Sequence, residues 1–173
     1  SQVPLMKMRM RVKIIPAPKV MSKNDLEGIK NSISRYLSMR EHSKSELTEK
    51  LLKKNYERDL IIRCIDEFSE KGLQSDYRYA ESYIRSKFND HKGENFIRMS
   101  LRNKGISSDL INEIMQGYDD QAWLKQAISA LEKKVFKSDL DKSDQTKKQN
   151  AFLSNRGFSF KVIEKAINSY WKL

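Results

Sequence analysis

The feature that most constrains this chain is a six-residue motif that occurs three times: "LLKKNY" at 51–56, "LRNKGI" at 101–106 and "LSNRGF" at 153–158. Leu51 and Leu101 lie 50 positions apart, and Leu101 and Leu153 lie 52 apart. At those offsets Leu60, Leu110 and Val162 fall in one column, and Ile61, Ile111 and Ile163 in a second. Three more columns are Cys64, Ile114 and Ala166; Ile65, Met115 and Ile167; and Phe68, Tyr118 and Tyr170. Six apolar columns in register describe a unit of about fifty residues, the length at which helical repeats are stacked into arrays.

Taken alone, "LRNKGI" has the look of a basic loop that grips phosphate. Its recurrence reads instead as a helix ending. Gly105 suits the left-handed position after the helix, and Leu101 with Ile106 form the apolar pair that closes a Schellman cap. Lys104 then sits where a cation favours the carbonyl end of the helix dipole. Leu153, Gly157 and Phe158 repeat the arrangement, and Asn55, which tolerates left-handed geometry, stands for the glycine in the first copy.

Hydrophobic spacing predicts three helices per repeat. The first helices are expected near 25–39, 76–90 and 120–136, the second near 43–54, 94–104 and 143–156, and the third near 57–71, 107–117 and 159–172. Asp76 is expected to cap the helix that carries Tyr79, Ala80, Tyr83 and Ile84, while Ser43 with Glu46 fits a capping box. Ser107 and Ser159 are candidate caps, and "FKSDLDKSDQTKK" is a longer polar connection in the third repeat. Three prolines and six glycines are too few for the turns of an all-β fold.

The expectation is an all-α tandem array of three three-helix repeats, at 25–72, 73–118 and 119–173. A fifty-residue trio buries little apolar area alone, so neighbours are expected to share surface in an elongated molecule, open to curvature. Residues 1–24 read as a basic extended arm and linker. Lys7, Arg9, Arg11 and Lys13 alternate with Met8, Met10, Val12 and Ile14, which is strand periodicity, and Pro16 and Pro18 end it.

The net charge is +11, and it is unevenly placed. Residues 1–24 carry six cations and no acid, 25–72 carry ten of each sign, 73–119 seven of each, and 120–173 eleven cations against six acids. The excess lies at the two ends, and a basic balance of this size favours nucleic acid, an acidic protein surface or an anionic membrane as partner. The cations singled out for such contact are Lys7, Arg9, Arg11, Lys13, Arg40, Lys53, Lys54, Arg85, Arg98, Arg102, Lys104, Lys133, Lys134, Lys147, Lys148 and Arg156.

No apolar run approaches the ~20 residues of a membrane span, and no signal peptide is legible. The single Cys64 excludes an internal disulfide and fits a reducing, cytoplasmic setting. Ser1 is not a translation start, so a processed, engineered or partial N-terminus is expected.

Catalytic patterns are missing from the sequence. His42 and His91 fall at joints between first and second helices, with no Cys or carboxylate at metal-ligand spacing. Cys64 occupies a core column and reads as a structural thiol. There is no phosphate-binding glycine loop, no G-x-S-x-G and no H-E-x-x-H, and Asp66–Glu67 are helical neighbours that do not face each other. Neither enzymatic activity, a cofactor, a metal nor a small-molecule substrate is expected. Phe68, Tyr118 and Tyr170 read as core, Trp123 and Trp171 as seals on the third repeat, and Tyr36, Tyr77 and Tyr79 as free to meet a partner.

Leu37, Arg40, Ser43, Glu46 and Leu47 in "LSMREHSKSEL" resemble the opening of the RecX regulatory proteins. "KGLQSDYRYAESYIRSK" resembles the family pattern G-L-L-D-D-x-x-[FY]-A-x-x-Y through Leu73, Asp76, Tyr79, Ala80, Tyr83 and Arg85. Gly93, Ile97, Leu101, Gly105 and Ile106 resemble the G-x-x-x-I-x-x-x-L-x-x-x-G-I that follows. Ser75 departs from the first Asp of the pair, and Asn55 from the glycine. The likeness covers about 35–118 well and the third repeat in phase. It implies tandem three-helix repeats that bind along the groove of the RecA filament on single-stranded DNA. It further implies inhibition of ATP hydrolysis and strand exchange, filament capping or destabilisation, and a place in recombination, DNA repair and the SOS response. Duplex DNA is a second candidate partner, and a monomer is expected.

Two other readings are open. "LRNKGISSDLINEIM" has the outline of a helix-turn-helix, but Ser107, Ser108 and Asp109 in the first turn of its second helix are poor readers of base edges. A nonspecific nucleic-acid scaffold is the other.

Overall fold

A computed structural model describes residues 13–15, 23–137 and 139–172. Among these residues the only regular secondary structure is helical. The helices are α1 (Lys23–Met39), α2 (Lys44–Leu52), α3 (Arg58–Glu70), α4 (Asp76–Asn89), α5 (Glu94–Asn103), α6 (Ser108–Met115), α7 (Asp120–Lys133), α8 (Lys142–Asn155) and α9 (Phe160–Trp171). The fold is all-α. The extended arm with Lys7, Arg9 and Arg11 lies outside the described residues, and Lys13–Ile15 are exposed without regular structure.

The helices pack as three trios, α1–α3, α4–α6 and α7–α9, whose main pairings lie within each trio. The repeat columns are what each trio buries. Leu51, Leu101 and Leu153 are all 0 % exposed, and the third-helix columns from Ile61 to Ile167 line the same interiors. The first trio has its own core, built on Ile29, Ile33, Leu47, Leu51, Ile61 and Ile65. The second and third share one continuous core.

Most helix starts and stops follow the local chemistry. Ser43, Ser107 and Ser159 accept the amide hydrogens of Glu46, Leu110 and Val162. The capping box at Ser43 is completed on one side only, because the Glu46 carboxylate turns to Arg40 and Lys50. Ile106 N–H donates to Leu101 O at 3.1 Å and Gly105 N–H to Arg102 O at 3.0 Å, the two bonds of a Schellman cap. Gly105 has φ +79°, Gly157 φ +91°, and Asn55 takes the same left-handed place at φ 64°.

Two boundaries depart from expectation. The cap of α4 is Ser75, whose hydroxyl accepts Arg78 N–H, and Asp76 is the first helical residue. Asp76 Oδ1 instead accepts Lys44 N–H at 2.9 Å, so it caps α2 from the neighbouring trio. Helix α7 ends at Lys133 rather than 136, because Lys134 turns to extended backbone, with φ −82° and ψ 124°.

The trios meet end to end through their second helices. Gly93 N–H donates to Arg156 O at 2.7 Å and Asn95 N–H to Gly157 O at 2.9 Å, so the amide end of α5 satisfies the carbonyl end of α8. One step along, the Ser43 hydroxyl reaches Lys104 O at 3.4 Å, while Gly105 abuts Ser45. Helices α8, α5 and α2 thus follow one another head to tail with their dipoles aligned. The first junction is otherwise polar: Arg78 pairs with Glu41 at 2.8 Å and Gln74 donates to His42 O at 3.1 Å. The second adds an aromatic cluster, in which Trp123 packs against both Phe88 and Tyr118.

Candidate partner-binding surface

In the first two trios most cations named from sequence are engaged by their own fold. Arg40 forks onto Glu46 and also donates to Glu41 O at 2.9 Å. Arg85 pairs with Glu81 at 3.2 Å. Arg98 bonds Glu94 at 3.0 Å and Asn112 at 2.7 Å. Lys54 donates to Ser32 and lies over the Tyr36 ring, whose centroid is 5.4 Å away. Lys104 stands 5.5 Å from the Tyr83 centroid. Lys53 and Arg102 are exposed, Arg102 lining a shallow recess with Arg98 and Asn112.

A groove of about 520 Å³ runs where the first two trios meet, between Ser45, Glu46 and Glu49 on one side and Tyr79, Tyr83 and Lys104 on the other. Tyr79, expected to be free for a partner, is only 8 % exposed. Burial, reinforced by the Glu46 carboxylate, pushes its hydroxyl up to about 12, so it stays protonated. Burial would raise Glu46 as well, but the Arg40 guanidinium and its other cationic neighbours outweigh this and hold it below the ordinary carboxylate range.

The third trio is different. Its one ion pair among the described residues is Lys161–Asp120 at 3.2 Å. Lys147 and Lys148 are exposed on α8, Lys134 lies over the Phe152 ring, and Lys142 over Trp171. Lys133 donates to His91 Nε2 at 3.1 Å. Arg156 is turned inward: its guanidinium donates to the carbonyls of His91, at 2.8 Å, and Asp90, closing the carbonyl end of α4. Its neutralisation would therefore loosen a junction as well as remove a surface charge. Sequence spacing carried no sign of this, because the partners are backbone atoms about 65 positions away.

Among the described residues no three His, Cys, Asp or Glu side chains gather as metal ligands do. Cys64 is buried, and burial pushes its thiol up, away from the reactive thiolate. No described helix is long and apolar enough to cross a membrane. In α6 the exposed residues are Ser108, Asp109, Asn112 and Glu113, two acids and no cation, a surface ill suited to the helix-turn-helix reading.

His42 is 2 % exposed, with its Nδ1 on Arg40 O and its Nε2 facing Lys50 Nζ at 3.0 Å. Burial pushes its pKa down, so the fold favours the neutral ring. A folded-state pKa below the unfolded value of about 6.5 gives a contribution that is complete above that pH and lost as pH falls through it. The melting temperature is therefore expected to fall between pH 7.5 and 5.5, and His42→Gln should flatten that window even if it melts lower throughout. An unchanged slope in thermal scans would assign the effect elsewhere.

These features define an all-α class of protein, a helical-repeat array whose first two trios are internally ion-paired and whose third presents open basic surface. The match to known sequences makes the class specific. The family description "RecX, first three-helix domain" matches residues 30–68, and "RecX, second three-helix domain" matches residues 75–115. The Regulatory protein RecX of Acinetobacter baylyi is 40 % identical over 133 residues, 76 % of this chain and 81 % of its own. That of Legionella pneumophila is 37 % identical over 135 residues, covering 78 % and 89 %. The crystal structure of RecX from Lactobacillus salivarius superposes with a TM-score of 0.79 at 26 % identity, covering 87 % of this chain and 99 % of that one. The chain belongs to the RecX family of regulatory proteins.

Proposed function

We propose that this chain binds the RecA recombinase filament on single-stranded DNA, as a monomer, and inhibits its ATP hydrolysis and strand exchange, thereby modulating recombination and repair. The observation that carries this reading is the match to Regulatory protein RecX across 133 residues. The physical character of the array agrees with it. Three modules, taken as 25–72, 73–118 and 119–173, can each make a modest contact with a repetitive partner, and linked contacts multiply through effective concentration. A long, repetitive polyanion-bearing filament suits an array with unpaired cations at one end.

The test is cosedimentation with preformed RecA filaments on single-stranded DNA, beside the bare DNA at equal concentration. Retention by the filament well above the bare strand supports the reading. Equal retention by both would favour the nonspecific scaffold, and a sharp preference for one duplex sequence would favour the DNA-binding regulator.

A further inference from the structure

The third trio carries a concavity of about 350 Å³ between the α7–α8 connection and the outer face of α8. Its floor is apolar. Val135 is 90 % exposed, and Phe136 meets Phe152 edge to face with centroids 6.1 Å apart. Its rim is Lys134, Lys137 and Lys148, all exposed. None of these three has a carboxylate within 4.0 Å among the described residues, and Lys134 is held over the Phe152 ring, 5.5 Å from its centroid.

We propose that this notch binds single-stranded nucleic acid, the three ammonium groups taking successive phosphates and Val135 with Phe136 receiving the face of an unstacked base. The proposal rests on the reading of the chain as a filament ligand and names the surface that meets the strand.

Two features select this ligand. Apolar surface ringed by unneutralised cations is the pairing of stacking platform and electrostatic groove that single strands use. A duplex keeps its base faces stacked and offers Val135 and Phe136 nothing to cover, so phosphate contact alone would leave that floor wet. One of the cations is also pre-positioned. Lys134 is held by its cation–π contact, which lowers the entropy lost when a phosphate arrives. The counterpart in the first two trios, the groove where Lys104 lies over Tyr83, has the carboxylates of Glu46 and Glu49 on its rim.

The experiment is fluorescence anisotropy of the full chain with labelled (dT)20, an abasic strand of equal length, and a duplex, across a salt series. The triple variant Lys134→Gln/Lys137→Gln/Lys148→Gln should bind (dT)20 at least ~10-fold more weakly and lower the log–log salt slope by about 2, at ~0.7 per phosphate lost. Val135→Ser, a mild surface change, should weaken (dT)20 about threefold without changing the slope or the affinity for the abasic strand. A control triple with the same charge change, Arg63→Gln/Lys125→Gln/Lys165→Gln, should stay within about twofold of the parent. Equal loss in both triples would overturn the notch in favour of diffuse charge. Absent binding of (dT)20 by the parent chain, with RecA-filament cosedimentation intact, would overturn the notch and leave the filament reading standing. A first triple that keeps (dT)20 but loses the filament would assign the notch to an acidic protein surface, and so overturn it as well.

Discussion

Gly93→Ala is expected to be among the most damaging single-methyl changes this chain can take, costing on the order of 3 kcal/mol, or roughly 10 °C in melting temperature for a protein of this size. The reason is not strain at Gly93 itself, whose φ of −83° suits any residue. A Cβ there would stand 2.2 Å from Gly157 C and from Phe158 N, backbone atoms of the neighbouring trio that no rotamer can move aside. The methyl would push α5 off α8 and break the Gly93–Arg156 and Asn95–Gly157 hydrogen bonds together. Gly72→Ala is the informative contrast: its Cβ would meet nothing within 4 Å, and only its φ of +72° resists substitution. That change should cost about 1 kcal/mol. Thermal melts of the two variants, with hydrogen exchange at the Asn95 amide, measure the difference. Equal costs would mean that the trios do not abut through these backbones.

Trp123→Ala should be comparable, at about 3–5 kcal/mol for a large aromatic lost from a core. Trp123 is 2 % exposed and meets Phe88 at 5.2 Å and Tyr118 at 5.6 Å between ring centroids. Phe88 and Tyr118 belong to the second trio and its exit, so this one side chain joins two trios into a single core. The cavity would therefore separate modules as well as hollow one of them. Trp171→Ala should cost less, because Trp171 is half-buried and held by an edge contact to Tyr170 and a 3.1 Å hydrogen bond to Gln149. Denaturant unfolding with global and third-trio probes distinguishes the outcomes. A larger cost at Trp171 would contradict the shared core.

What could be read in advance was whatever repeats locally. Ile61, Ile111 and Ile163 announce a core because burial in each trio demands the same apolar residue at the same phase. Ser43, Ser107 and Ser159 announce helix starts because capping is a matter of four consecutive residues. The junctions were not legible. Asp76 has the composition of a cap for its own helix, and only the packed neighbour shows that it caps α2, 32 positions earlier. Gly93 was legible only as part of a family pattern and not for its role, which is to make room for a backbone from another trio. Arg156 reads as a surface cation until the carbonyls of Asp90 and His91 are placed beneath it. The open basic surface was legible as excess charge in residues 120–173, but its gathering around Val135 and Phe136 depends on where α7 stops, and no glycine marks that point.

The proposed action of this array on RecA bound to single-stranded DNA has a direct readout. The most direct measurement is DNA-dependent ATP turnover by RecA at fixed filament concentration, with the chain titrated from well below to equal molar ratio. Turnover is expected to fall progressively and substantially before equivalence, as an array spanning several subunits would produce. Turnover unchanged across the full titration, under salt at which the chain is folded, would contradict it.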